Sequence, residues 1–260
     1  LQYLKILYNI LWTVESTLYI GCAGWAIPPQ EKHRFPEQGS HLERYATCFN
    51  AVEINSSFYR SHKPETYAKW ASMVPHAFRF SVKVPKQITH VQKLKTWEGL
   101  DRFGEETKAL REKLGPWLIQ LPPSLAFDES VARHFFEALR KWYEGSVVIE
   151  PRHDSWFSIE VETVFLEFKI ARVIADPPIS PIGTHPGGWT GLVYFRLHGS
   201  PQMYRSSYTE TALDHWAEQI RFLSEHVPEI WCIFDNTASG SAIGNAMTLR
   251  EKVLSHDTQR

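Results

Sequence analysis

Eight short apolar runs recur along the chain, and their spacing restricts the fold more than any other feature. They start near Leu18, Ala51, Phe78, Trp117, Val147, Ala171, Leu192 and Ile230, and end near Trp25, Tyr59, Pro85, Pro122, Arg152, Asp176, Gly199 and Asn236. Successive starts lie about 30 residues apart, enough for a parallel β-crossover-β unit. Most gaps hold apolar residues at helical spacing. Leu42, Tyr45 and Ala46 mark one segment, and Tyr67, Trp70, Ala71 and Val74 mark a second behind Pro64, a favoured first-turn residue. Leu100, Phe103, Thr107, Leu110 and Leu114 form a third stripe. Val131, Phe135, Leu139 and Trp142 form a fourth, with Asp128 placed as its N-cap. Leu213, Trp216, Ala217, Ile220 and Leu223 form the strongest stripe, and Ala242, Ala246, Leu249 and Val253 the last.

Strand and helix alternating to a final helix is the pattern of an α/β fold, a single-domain (β/α)8 TIM barrel. An open doubly wound sheet is the competing arrangement, but no GxGxxG follows the first run, and no other nucleotide-cofactor motif is present. The sixth βα unit is irregular: residues 177–190 are rich in proline and glycine and show no helical stripe. A connection of that length serves as a lid or as a plain crossover. The barrel is expected over residues 17–256. Residues 1–16 form an N-terminal extension, expected to be helical because Leu4, Leu7, Ile10, Leu11 and Val14 share one face. The extension is too short and interrupted for a membrane span and has no small-residue cleavage site.

Charge narrows the partners. Lys and Arg number 28 against 29 Asp and Glu, so the chain lacks the basic excess of a nonspecific nucleic-acid binder. A local basic pocket is compatible with that balance. Cys22, Cys48 and Cys232 include no CxxC pair, so they read as reduced thiols of a cytoplasmic protein.

Alternation along the strands carries the functional signal. One parity is apolar: Val52 and Ile54, Phe80 and Val82, Val147 and Ile149, Phe195 and Leu197. The opposite parity holds Glu53 and Asn55, Arg79 and Lys83, Glu150 and Arg152, Arg196 and His198, while Gln120, Asp176 and Asp235 end three other strands. Buried charge without compensation costs several kcal/mol, so four charged inward faces require a reason. Arg79 lies early in its strand and is expected in an internal ion pair. The others lie late, where barrel enzymes build their sites. Aromatic residues cluster in loops at the same end: Trp25, Phe58, Tyr59, Trp156, Tyr204 and Tyr208. They are placed either to stack on a sugar or base or simply to pack the loops.

Several strings also occur in a telling order: Gly21-Cys-Ala-Gly-Trp25, Glu53-Ile-Asn55 with Phe58-Tyr59, Phe80-Ser-Val-Lys83, Ile88-Thr-His90, Leu114-Gly-Pro116 with Gln120-Leu-Pro-Pro123, Glu150-Pro-Arg-His153 with Ser155-Trp156, Arg196-Leu-His-Gly199 with Tyr204 and Tyr208, and Phe234-Asp-Asn236. Together, from about Leu18 to Val253, the chain resembles the YecE-like family, domain of unknown function 72. The resemblance implies a TIM barrel and no particular reaction. It implies motif positions at Glu53, Asn55, Tyr59, Lys83, Glu150, Arg152, His153, Trp156, Arg196, His198, Tyr204 and Asn236. Cys22-Ala23 stands where the resemblance leads one to expect Thr-Ser, which removes two hydroxyls from the first loop.

The candidate chemistry follows from residue types. Glu53, Glu150 and His198 are candidate acid, base and proton-shuttle groups. Asn55, Tyr59, Lys83, Arg152, Trp156, Arg196, Tyr204, Tyr208, Asn236 and Trp25 are candidate contacts for a small anionic ligand or a nucleic-acid end. Glu53, Glu150, Asp176, His198 and Asp235 are candidate ligands for a divalent metal ion, although no HxxE or HxH spacing supports one. The expected function is hydrolase- or isomerase-type chemistry on a phosphorylated, sugar-like or nucleotide substrate. A non-catalytic nucleotide or nucleic-acid-end binder is the alternative, and a purely structural role for the charges is the third reading.

Overall fold

The computed structural model describes residues 16–255. Ten strands form one curled sheet: β1 (Thr17–Ala23), β2 (Ala51–Ile54), β3 (Arg79–Lys83), β4 (Leu114–Gln120), β5 (Val147–Glu150), β6 (Ile170–Arg172), β7 (Ile174–Asp176), β8 (Gly187–Gly188), β9 (Val193–Leu197) and β10 (Glu229–Phe234). Their order is β7-β9-β10-β1-β2-β3-β4-β5-β6-β8, and only the β6–β8 pairing is antiparallel. β6 and β7 are halves of one stave. Val173 alone separates them, and its N–H donates to the Ile149 carbonyl at 2.8 Å while β7 pairs with β9. This sixth stave joins β5 to β9 and closes the TIM barrel.

The helices are α1 (His41–Tyr45), α2 (Ser56–Tyr59), α3 (Pro64–Ser72), α4 (Leu100–Thr107), α5 (Glu129–Trp142), α6 (Ile159–Glu167), α7 (Glu210–Ser224) and α8 (Ser241–Leu254). Asp128 caps α5 as expected, its carboxylate accepting from the Val131 N–H at 3.0 Å. Three local readings change. The segment 159–167 is not among the expected stripes, because the apolar Ile159 and Leu166 fall outside the helical spacing of Val161, Val164 and Phe165. Ser158 nevertheless caps a helix there that buries Val161, Val164 and Phe165. The stripe from Leu100 stops at Thr107, because Arg111 takes φ 54° inside the following 3-10 turn, so Leu114 begins β4. The second apolar run leaves the sheet at Ile54, and Ser56–Tyr59 coil into α2. The sixth crossover matches its proline and glycine content: a 3-10 turn, Pro181–Thr184, leads into β8 with no α-helix between.

The two parities separate as alternation requires. Val52, Ile54, Phe80, Val82, Val147, Ile149, Phe195 and Leu197 pack in the shell beneath the helices. Ala51, Leu118, Val148, Ala171, Val173, Ala175, Tyr194, Trp231 and Ile233 form a second, inner cluster. Arg79 makes no internal ion pair among the described residues. Its Nη1 donates instead to the carbonyls of His76 and Phe78, at 2.8 and 3.1 Å. The helix expected over residues 1–16 lies, except for Ser16, outside the described residues. No described helix is long and apolar enough to cross a membrane.

One close approach fixes the β1–β2 edge. The Tyr45 hydroxyl accepts from the Cys22 N–H at 2.8 Å and donates to the Ala51 carbonyl at 2.9 Å. Only glycine fits beside it, since a Cβ on Gly21 would lie 2.0 Å from the Ala51 oxygen. Gly21→Ala is expected to lower stability by about 1–3 kcal/mol, the cost of forcing a methyl into a filled core. Equilibrium denaturation measures it, and an unchanged midpoint would contradict the packing described.

Candidate active site

The sheet ladder runs right up to the polar residues and holds their backbones. The Glu53 carbonyl accepts from Gly24 N–H at 2.9 Å and the Glu150 carbonyl from Leu121 N–H at 3.0 Å. The His198 N–H donates to Asp176 O, and the Asp235 N–H to Leu197 O, both at 2.8 Å. Their side chains then converge inside the carboxyl end of the barrel, with the Arg196 guanidinium at the centre.

Arg196 grips Glu53 with two bonds, from Nε to Oε2 at 2.9 Å and from Nη2 to Oε1 at 2.7 Å. Its Nη1 donates to Glu150 Oε2 at 2.6 Å, and Nη2 also reaches Asp235 Oδ2 at 2.9 Å. Glu53, Glu150, Arg196 and His198 are wholly buried. Tyr194 donates its hydroxyl to Glu53 Oε2 at 2.9 Å, and Gln120 donates to Glu150 Oε2 at 3.1 Å. The other Glu150 oxygen, Oε1, lies 2.6 Å from Arg152 Nη2 and 2.8 Å from His198 Nε2. His198 Nδ1 lies 3.1 Å from Asp235 Oδ2, so both ring nitrogens face a carboxylate.

Charges this close tune one another. Burial alone would raise the Glu150 carboxyl. The Arg152 and Arg196 guanidiniums and His198 more than reverse that and hold it well below the usual carboxylate range. Asp235 follows the same pattern, with burial opposed first by Arg196 and then by His198. Burial beside Glu53 keeps the Tyr194 hydroxyl protonated far above the ordinary phenol range.

Lys83 is different. It projects from the end of β3, only 8% exposed, with Nζ 4.4 Å from the centre of the Phe58 ring. The three carboxylates of the cluster turn to the arginines, and no ion pair or hydrogen bond joins Lys83 Nζ to a described residue, although its carbonyl accepts from the Ser57 hydroxyl at 2.7 Å. Burial and the nearby Arg196 lower its pKa to about 8, with Glu53, Glu150 and Asp235 offsetting only part of the shift. Asn55, half-buried at the end of β2, also keeps a buried Oδ1 without a protein partner. Above the cluster, Tyr204 packs edge-on to His198 with ring centres 5.4 Å apart and is 40% exposed. Tyr59 stands in solvent beside Phe58.

Other expected contacts go elsewhere. Trp156 is buried, donates its indole N–H to the Leu125 carbonyl at 2.8 Å and stacks on Phe165, so it packs a loop and offers no ligand platform. Tyr208 donates to Asp176 Oδ2 at 2.7 Å and accepts from Gly199 N–H at 2.9 Å, tying the loop after β9 to β7. Asn236 donates to the Ser206 carbonyl and to Asn245 Oδ1, which anchors the same loop. Trp25 meets the edge of Trp70 and lines a separate cleft of about 520 Å³ with Lys69 and Met73. His153 accepts from Ser155 N–H and caps a short turn. The proposed metal ligands gather at one end but do not suit a metal. Their oxygens are held by Arg196, Arg152 and Tyr208, and no described group of three His, Cys, Asp or Glu residues is arranged to hold an ion. Tyr194 was missed although it shares the inward parity of Arg196, and it donates its hydroxyl to Glu53. His90 was also missed as a site residue: it meets the other edge of Phe58 at 4.9 Å and is lowered in pKa by burial and by Lys83.

Fold and cluster together define a TIM-barrel protein with a charged, internally paired mouth. The chain belongs to the family described as Protein of unknown function DUF72, whose model matches residues 19–260. It is similar to the UPF0759 protein YunF of Bacillus subtilis, 22% identical over 90% of this chain and 94% of the relative. It is 31% identical over 143 residues to the UPF0759 protein YecE of Escherichia coli. That match covers 54% of this chain and only half the length of YecE. Among solved structures, a DUF72 protein of Thermotoga maritima matches with TM-score 0.75 and 26% identity, over 90% of this chain and 98% of that one. A β-methylaspartase from Clostridium tetanomorphum shares the barrel alone, with TM-score 0.56 and 8% identity over 100% of this chain and 63% of that one.

The pairing makes two measurable demands. Arg196→Met takes the guanidinium from three buried carboxylates and is expected to cost about 3–5 kcal/mol in denaturant unfolding. Because Glu150 and Asp235 are lowered on folding, their contribution is present above the unfolded carboxylate pKa and is lost as pH falls through the folded values. Wild-type stability should therefore decline from about pH 5 downward, and more steeply than that of Arg196→Met. Equal slopes would mean the carboxylates are not held by Arg196.

Proposed function

We propose that the carboxyl end of this barrel is the active site of an enzyme using acid–base chemistry, of hydrolase or isomerase type, on a small anionic substrate that is phosphorylated or sugar-like. The observation that carries this reading is the unpaired ammonium of Lys83 inside a cluster where every carboxylate is already engaged. A largely buried ammonium with a ring face but no carboxylate beside it is unfavourable in the empty protein, and strongly perturbed groups of this kind concentrate at functional sites. An electron-rich oxygen of a substrate supplies what Lys83 lacks, and Asn55 Oδ1 offers an acceptor to a substrate hydroxyl. Below them His198, between Glu150 and Asp235, is the group best placed to move a proton. The nucleic-acid-end alternative loses support, because Trp156 is buried and Trp25 faces a different cleft.

A structural role and a functional one predict opposite signs for Lys83→Met. Lys83 titrates at about 8 when folded instead of 10.5, so its charge opposes folding below pH 8, and the penalty disappears as pH rises through that window. Lys83→Met should therefore raise Tm by about 2 °C or more at pH 7, with the gain fading above about pH 10. The same variant should weaken binding of inorganic phosphate and of dihydroxyacetone phosphate by about tenfold or more, followed by calorimetry. Lost stability with unchanged phosphate binding would assign Lys83 to the fold and end this reading.

A further inference from the structure

We infer that Lys83 is also an amine nucleophile, and that the substrate of this site carries an aldehyde or ketone with which Lys83 forms an imine. The inference rests on the active-site reading above and names the substrate class. It begins from how the cluster divides its cations. Arg196 and Arg152 hold carboxylate oxygens at 2.6–2.9 Å, as guanidinium forks do. Lys83 sits at the same end with no carboxylate in reach, on the Phe58 face and within electrostatic range of Arg196. An amine has an available lone pair only when unprotonated. Burial and the nearby Arg196 guanidinium favour that form, Glu53, Glu150 and Asp235 offset them only in part, and no carboxylate among the described residues lies within ion-pair distance of Nζ. An arginine at the same place would bind an anion equally well but has no such lone pair.

The step balances without a redox partner. The Nζ lone pair forms a bond to the carbonyl carbon, and the carbonyl π electrons move to oxygen, which takes up a proton to give a carbinolamine. Nitrogen releases a proton. The hydroxyl then takes a second proton and leaves as water while the nitrogen lone pair forms the second C–N bond, giving the protonated imine, which releases its remaining N–H proton to give C=N. His198, the imidazole of the cluster, in contact with Glu150 and Asp235, is the group assigned to give and take these protons. Asn55 Oδ1 and the Lys83 environment bind the remainder of the substrate.

The test is borohydride trapping on the full chain, with dihydroxyacetone phosphate and, separately, glycolaldehyde as probes. Reduction of an imine leaves a secondary amine of known added mass, located by peptide mass spectrometry. Near pH 8, Lys83 should be labelled at least about tenfold faster than exposed Lys86, and labelling should rise through that pH region. Lys83→Arg should keep phosphate binding and lose the adduct. Phosphate binding with no preferential adduct at Lys83 from either probe overturns the imine and leaves the anion site standing. Neither binding nor adduct overturns both. Equal labelling of Lys83 and surface lysines also overturns the inference.

Discussion

The Arg196 guanidinium sets the terms for everything above the middle of this barrel. A guanidinium does not give up its charge in a protein, so a buried one must be surrounded by carboxylates arranged to fit its fork. Glu53, Glu150 and Asp235 supply them from three staves. The fork also needs room, and Ala175, in register beside Arg196 on β7, is small. Around that centre the remaining polar groups fall into place: Tyr194 and Gln120 take spare carboxylate lone pairs, and His198 bridges Glu150 and Asp235. The same arginines occupy carboxylate oxygens of Glu53, Glu150 and Asp235 that a divalent cation would need.

Alternation made both the barrel and this cluster legible. Eight runs with one apolar parity can close only if the other parity turns inward, and charged inward residues on several strands must then meet. What strand parity cannot supply is what happens once the chain leaves the strand. Trp156, Tyr208 and Asn236 lie in the right loops, yet their polar atoms turn to the Leu125 carbonyl, Asp176 and Asn245. A loop residue of a barrel has two neighbours to choose between, the mouth and the adjacent loop, and composition does not distinguish them. Helix α6 is overlooked in the sequence because the exposed apolar residues Ile159 and Leu166 blur the stripe that Val161, Val164 and Phe165 make behind the Ser158 cap.

The loop from Gly199 to Tyr208 shows how such residues still serve the site. Gly199 adopts φ 92°, and a side chain there would press on the Ser206 carbonyl. Tyr208 and Asn236 clamp the two ends of that turn, and the turn in turn carries Tyr204 over His198. The residues expected to touch a ligand are therefore one step removed from it, holding the segment that forms the roof.

The cluster thus separates by depth and by kind of cation. The deep layer, Glu53, Arg196 and Tyr194, is closed on itself and reads as architecture, because every charged atom there has a partner in the protein. Among the described residues, the upper layer leaves the Lys83 ammonium without a carboxylate and Asn55 Oδ1 without a donor. An arginine at that position would carry the same charge but no lone pair open to a carbonyl carbon. An ammonium on a flexible stem, resting against Phe58, leaves the carboxylates to Arg196 and stays available. Rigid pairing beneath a single unpartnered amine is how a barrel keeps its mouth ordered while leaving one reactive group free for a ligand.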